Sequence, residues 1–414
     1  MAMVMTCTAS FAQKTVRPKV FIYGSTMASF AAAIQCAQSD VPVAWALDSE
    51  ELIANLDFPS FAIDQRINLS GGIWMDLLML IARHELPNDS IAEHTNKNIT
   101  TQIFKNSLQE LVAKQKNLTV LKNTSVRQLS EAKNGWDVVL KNKEKYSVRA
   151  VFDGSQKQVL STFLESTKRG ESLAIKPIEQ ITKDEIRTVV ASGQHKDTVY
   201  ALTFKELLAS QYKGFYSLND DFAFQRENSF PSVSNLGQAI GAMMAYTAFF
   251  KVPAEKINIR VLQGELLKFR SRLLPYEDVL MEDPNFSNIQ RFGLSGIFLG
   301  DKEEGNYRLL RQKEVQVEEV KAPILKYFSR SQLWFTEKSL GLFMANSFFE
   351  LIKLISFKDV QNLDNRNLQL DKDQKSHALA DSEEAVNRYD FAVMFESYCK
   401  AFDVAIDAQG TILR

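Results

Sequence analysis

An α/β front followed by a mainly helical C-terminal part is predicted from three features of the sequence. Near the N-terminus an apolar strand runs straight into a glycine and a small-residue helix. A second strand then ends at an acid, and past residue 283 the β-forming runs give way to amphipathic helical patterns.

The first feature is "KVFIY" at Lys19 to Tyr23, followed at once by Gly24 and then by "STMASFAAAIQCAQS", whose alanines suit a closely packed helix. The second strand, "VPVAWAL", ends at Asp48. Strand, turn, helix, strand and acid is the order of a dinucleotide-binding unit, in which the helix start holds a pyrophosphate and the acid binds a ribose hydroxyl. Separation of Gly24 from Asp48 is close to the ~20-residue rule of that motif. The glycines depart from it. Laid on G-x-G-x-x-G, Gly24 takes the first place, Thr26 the second and Ser29 the third. Only the tight turn is secured, because the Thr26 methyl crowds the place where a phosphate approaches the backbone. A bound dinucleotide and a purely structural unit are both compatible with this pattern.

Next comes an amphipathic helix from about Thr100 to Lys116. "NLTVLKNTSVRQLSEAKNGWDVVLKNKEKYSVRAVFDGS" then reads as successive strands around an Asn134-Gly135 turn, a β-sheet insertion into the α/β domain. Farther on, "LGQAIGAMMAYTAFF" places Gly237, Gly241 and Ala245 on one helix face. With Gln238 in its first turn, this helix is expected to aim its positive end at an anionic group. Its length and its glutamine mark it as a core helix, and no other stretch reaches the ~18 apolar residues that span a bilayer.

Composition bounds the function. The 414 residues carry 49 Lys+Arg against 50 Asp+Glu, so the basic surplus of a dedicated nucleic-acid binder is missing. Hydrophobic content of 45% and charged content of 24% are those of a folded, water-soluble protein. Cys7, Cys36 and Cys399, with His84, His94, His195 and His377, show no metal-ligand or disulfide spacing, so no metal site is expected. Residues 1–17 read as a signal-like leader: "MAMVMTCTASFA" is small and apolar, with Ser10-Phe11-Ala12 as small-x-small. Export to the periplasm or outside is the expectation, with a frayed cytoplasmic leader as the alternative.

Taken together, the segments resemble the FAD-dependent oxidoreductases of the glutathione-reductase-like superfamily, specifically the exported, xanthan-lyase-like bacterial group. "KVFIYGSTMASFAAAIQCAQ" is similar to the opening dinucleotide turn, and "LSGGIWMDLL" to a double-glycine helix start at Gly71-Gly72. "TSVRQLSEAKNGW" resembles the strand passing the adenine, "VRAVFDGS" the strand leading to an acid-alanine-threonine-glycine turn, and "SFPSVSNLGQAIGAMMAY" the helix that meets the isoalloxazine. The resemblance implies a three-layer FAD/NAD(P)-binding Rossmann-like domain over 18–283, with a substrate-side insertion at about 157–215. It implies FAD held by Gly24, Ser25, Thr26, Met27, Ala28, Asp48, Val126, Asp153, Gly237 and Gln238. Departures cluster where the flavin would sit: "SEELIANLDFPSFAIDQ" lacks the usual glycine-rich loop, Gly154-Ser155-Gln156 replaces the usual turn, and "AFQRE" stands where a glycine turn belongs. Cofactor binding is therefore expected to be weakened, altered or lost.

The remainder, 284–414, reads as a helical domain with a polar linker at 362–384. Pro323 is expected to kink or split the helix that contains it. "LWFTEKSLGLFMANSFFELIKLI" reads as one apolar helix, and Phe391, Phe395, Tyr398 and Phe402 recur at helical spacing in the last one. "FSNIQRFGLSGIFLGD" and "VNRYDFAVMFESYCKAFD" resemble pieces of surface-layer-homology repeats, which implies either binding of a cell-wall polymer or plain helix packing. No catalytic residue is assigned: His195 reads as a loop histidine, Cys36 as a buried small hydrophobe, and Trp45, Trp74 and Trp136 as core. Two functions follow. One is an exported FAD-dependent oxidoreductase acting on a small or carbohydrate-like substrate; the other is a non-catalytic descendant of that scaffold that binds a glycan or a protein.

Overall fold

Six strands build the central sheet of the computed structural model: β1 (Val20–Tyr23), β2 (Val43–Ala46), β3 (Leu118–Leu121), β4 (Ala150–Asp153), β5 (Gln211–Tyr212) and β6 (Phe215–Ser217). Their spatial order is β5-β6-β4-β1-β2-β3, parallel throughout except for the β5-β6 hairpin at one edge. The structure describes residues 17–168, 170–173, 175–218, 226–303, 306–338, 341–356 and 383–413.

Helix α1 (Met27–Gln38) crosses from β1 to β2, so the chain turns from one side of β1 to the other only between β1 and β4. That reversal is where ligands bind in open α/β sheets. Tyr23 is level with Ala46 on one side and Asp153 on the other, which brings Gly24, Leu47 and Gly154 to the same edge. The strand order and the crossover helix make this a Rossmann-like α/β fold.

Alternation along β1 separates two cores. Val20 and Ile22 face the helices, whereas Phe21 and Tyr23 face an antiparallel meander of Val126–Ala132, Gly135–Leu140 and Lys145–Val148. Trp136 fills the meander side and Trp45 the helix side, both with no exposed surface. Gly135 forms the tight turn at φ 142°, where a Cβ would sit 2.1 Å from the Val148 carbonyl oxygen.

On the helix side, α2 (Gly72–Ala82) begins at Gly71 as the double glycine predicts, and α3 (Phe230–Phe250) lies along α1. Glycine makes that contact possible. A Cβ on Gly237 would stand 2.3 Å from the Ala28 carbonyl oxygen, and one on Gly241 2.6 Å from that of Ala32. The helix starts two turns earlier than the sequence suggests, with Pro231 in its first turn, where a missing N–H costs nothing. Gln238 therefore lies mid-helix. A second antiparallel sheet, Lys176–Pro177, Thr198–Thr203 and Val189–His195, packs against α3, and His195 ends a strand there rather than standing in a loop.

In the C-terminal part, α4 (Val317–Tyr327), α5 (Ala345–Ser356) and α6 (Arg388–Cys399) start from a closed ring of backbone hydrogen bonds. Val315 N–H donates to Val386 C=O (3.0 Å), Val386 N–H to Phe343 C=O (2.8 Å), and Phe343 N–H to Val315 C=O (2.8 Å). Two residues on, Val317, Ala345 and Arg388 repeat the pattern toward Gly341, Glu384 and Lys313. Three equivalent strand-to-helix units thus meet about a pseudo-threefold axis, their helices buried through Val320, Phe348 and Phe391.

Three helix expectations need correction. Pro323 sits inside an unbroken α4. The run from Leu333 is split into Gln332–Glu337 and α5, with Gly341 at φ 94° between them. Phe402 lies in a 3₁₀ turn beyond the end of α6. The leader up to residue 16 and most of the linker lie outside the described residues. One apolar core runs from Val20 through the C-terminal helices to Ile406, and no described helix is long and apolar enough to cross a membrane.

Candidate functional site

The glycine turn sits at the reversal point between β1 and β4. Gly24 adopts φ 117°, its N–H donates to Ala46 C=O (3.0 Å), and the Trp45 indole N–H donates to its carbonyl (2.9 Å). Ser25 is engaged on every side. Its N–H donates to the Asp48 carboxylate (3.1 Å), its carbonyl accepts from Ala54 N–H (2.9 Å), and its hydroxyl oxygen accepts from Ser49 (3.0 Å). The segment after β2 thus folds onto the turn where a glycine-rich loop is absent from the sequence.

Thr26, at the second motif position, caps α1 and bridges the crevice. Its hydroxyl oxygen accepts from Ser29 N–H (3.3 Å) and donates to Gly154 C=O (2.8 Å). On the β4 side, a Cβ at Gly24 would meet the Ser155 nitrogen at 2.6 Å, so the 154–155 backbone rests directly on the turn. Met27 and Ala28 follow as the fully buried first turn of α1.

Asp153 has no exposed surface. Its carboxylate accepts from the N–H and hydroxyl of Ser155 (3.3 and 2.6 Å) and of Ser161 (2.8 and 3.1 Å). Burial raises its pKa against the pull of those four donors. Asp48, by contrast, is exposed at the end of β2, where a ribose acid stands. Tyr23, at the end of β1, is pushed up to about 12 by burial first and then by the charges of Asp48 and Asp153.

The other expected residues are elsewhere. Val126 opens the meander on the opposite face and is buried in its core. Gly237 is in the α1–α3 seam. Gln238 is 1% exposed, its Oε1 accepting from Ile73 N–H (3.3 Å) and its Nε2 donating to Gln35 Oε1 (2.8 Å). Gln35 passes the chain on to the Ser39 hydroxyl (3.0 Å), which donates to Glu265 (2.9 Å). This buried relay, with Asn235 clamping the carbonyls of Leu69 and Ser192 at 2.9 and 3.0 Å, was not anticipated. Its only sequence trace is polar residues inside otherwise apolar helices.

What remains at the turn is a cavity of about 140 Å³ lined by Ser25, Thr26, Met27, Asn55, Gln156 and Arg226, among others. Pockets that hold drug-sized ligands run ~300–1,000 Å³. The Thr26 bridge, the 154–155 backbone and the small cavity do not fit a dinucleotide pyrophosphate, although the exposed Asp48 fits a ribose. Cys36 is fully buried, its thiol raised by desolvation, and its S–H donates to Gly241 C=O (3.2 Å).

No family model matches the chain, and no curated protein sequence matches it. Solved structures resemble parts of it. The tetracycline destructase Tet(51) is 11% identical over 40% of this chain and 44% of its own, with a TM-score of 0.26. Thermovibrio ammonificans THI4 is 11% identical over 57% of this chain and 90% of its own, with a TM-score of 0.34. The Diels-Alderase PyrE3 is 10% identical over 61% and 73%, with a TM-score of 0.34. This chain spans less than half the length of the destructase. The fold assignment rests on the strand order and crossover helix described above.

Proposed function

We propose that this chain is a non-catalytic descendant of the flavoprotein scaffold, retained as a binding or assembly module for a glycan or a protein. The observation that carries the reading is the Thr26–Gly154 hydrogen bond, which spans the crevice with the chain's own atoms where a pyrophosphate would lie. Thr26 and Asp48 also occupy two amides of the turn, those of Ser29 and Ser25, with the chain's own oxygens. The C-terminal unit supports the binding role. Its two segments with surface-layer-homology resemblance pack together, Phe292 against Phe391 and Phe395 at 5.8 and 6.0 Å, and the second of them supplies one of the three equivalent helix starts. Export belongs to the same proposal.

A second reading, an FAD-dependent oxidoreductase, is favoured by one observation, the exposed Asp48 at the tip of β2. The absorption spectrum separates the two. Under the first reading the purified chain is colourless and stays so after incubation with FAD and gel filtration. A retained absorbance near ~450 nm, from a flavin carrying its own redox chemistry, would establish the second.

A further inference from the structure

Beyond α6 the chain reverses at Lys400, which caps the helix in the left-handed region at φ 52°, and the segment from Ala401 to Leu413 runs back against the front of the molecule. Two buried arginines of the front hold it. Arg187 donates through Nη1 to Gly410 C=O (3.0 Å), and Arg260, on helix Ile259–Lys268, donates through Nε to Val404 C=O (3.4 Å). A Cβ on Gly410 would stand 1.8 Å from the Asp184 carbonyl oxygen, so this part of the segment lies directly on the backbone beside Arg187. Phe402 meets two guanidiniums, Arg260 at 4.7 Å and Arg291 of helix Phe286–Gly293 at 5.4 Å from its ring centre.

Glu396, in the last turn of α6, stands at the root of this segment and is 3% exposed. Among the described residues its carboxylate accepts one hydrogen bond, from Phe402 N–H (3.3 Å). Arg260 faces it but sends Nη1 to Arg187 C=O, Gln263 Oε1 and Leu294 C=O (3.3, 3.0 and 3.2 Å). Arg291, Asp403 on the segment itself and the Tyr327 phenol of α4 also face it. A buried carboxylate with a single N–H donor is poorly compensated for lost water once it ionises. Burial accordingly pushes the Glu396 carboxyl up to about 7, with Asp403 adding to the effect and Phe402 N–H, Arg291 and Arg260 opposing it.

We propose that the segment 401–413 is a proton-operated clasp: it lies closed on Arg187 and Arg260 while Glu396 is protonated, and it detaches at the Lys400 hinge as Glu396 ionises. Detachment removes Phe402 from above the carboxylate and lets water reach it. The sign follows from linkage. With the clasp open, the carboxyl titrates near the ordinary ~4.3, below its closed value, so the proton favours closure. That contribution is complete below about pH 4 and is lost as pH rises through about 7. The device is independent of the crevice and of the role proposed for it.

The test is hydrogen exchange of the full chain read by mass spectrometry, with rates corrected for intrinsic exchange. Amides in 401–413 should lose about tenfold in protection between about pH 6 and about pH 8.5, the ratio that the two carboxyl values predict, while those of β1 keep theirs. Glu396→Gln, which keeps the shape without the charge, should hold the segment's protection constant over that range. Glu396→Met is a second uncharged variant with the same expectation, and circular dichroism verifies that each is folded. Protection of 401–413 that does not change with pH in the unaltered chain, or a tenfold loss that persists in a folded uncharged variant, would overturn the proposal. So would an equal loss in β1, since the whole chain and not the clasp would then be opening.

Discussion

Thr26 and Gly154 stand 128 residues apart in the chain, yet the threonine hydroxyl donates to the glycine carbonyl at 2.8 Å and ties the start of α1 to the end of β4. The same oxygen caps the helix by accepting from Ser29 N–H. Thr26→Gly removes both bonds and should lower the unfolding free energy by about 1–2 kcal/mol in urea titrations. Under the proposed non-catalytic reading it should not confer flavin binding, because the Ser155 backbone still lies against Gly24. A submicromolar FAD affinity in this variant would identify the methyl, not the remodelled loops, as the barrier.

The outline of the front was legible because each part is local. A β-rich run, a glycine and an alanine helix are adjacent in sequence, and the meander announces itself through Asn134-Gly135. The contacts that decide the crevice are not local. Nothing in "DGS" states that Gly154 accepts from Thr26, since the partners meet only once β4 pairs with β1. Gln238 illustrates the opposite error. A Gly-Gln pair looks like a helix start, but α3 begins at Phe230 and the glycine serves a helix crossing. The threefold ring was hidden because its equivalent residues, Val315, Phe343 and Val386, are separated by unequal stretches and share only burial.

The α1–α3 seam should tolerate no added atoms. Gly237→Ala places a methyl 2.3 Å from the Ala28 carbonyl oxygen, and Gly241→Ala one 2.6 Å from that of Ala32. Both obstacles are helix backbone, so relief requires the helices to separate. Each substitution should therefore destabilise by about 1–3 kcal/mol or more, despite alanine's better helix propensity. Gly264, with nothing within 4 Å of its Cβ, is the control: Gly264→Ala should stabilise slightly. Thermal melts of the three variants distinguish packing from propensity.

The amide relay beneath α2 should behave as a unit. Gln238→Leu leaves the Ile73 N–H and Gln35 Oε1 without partners and should cost about 1–3 kcal/mol. Gln35→Leu similarly strands the Gln238 amide N–H and the Ser39 end of the chain. The double variant should cost less than the sum of the singles, because their shared bond is lost only once. Strict additivity in a urea-denaturation double-mutant cycle would mean that the two glutamines are not coupled.

Asp76 carries the pH dependence most open to test. It lies on α2, partly buried among apolar neighbours, and its carboxyl is pushed up to about 6 by burial, with Arg270 and Lys114 pulling the other way. Because the folded value lies above the unfolded one of ~3.9, the protonated form favours the fold. That favourable contribution is complete below about pH 4 and is lost as pH rises through about 6. Asp76→Asn keeps the shape but cannot ionise. It should be more stable than the unaltered chain at pH 7.5, by on the order of 1–3 kcal/mol, and should converge with it near pH 4. Parallel pH profiles for the two proteins, measured by urea unfolding between pH 4 and 8, would show that the carboxylate reaches water and carries no burial penalty.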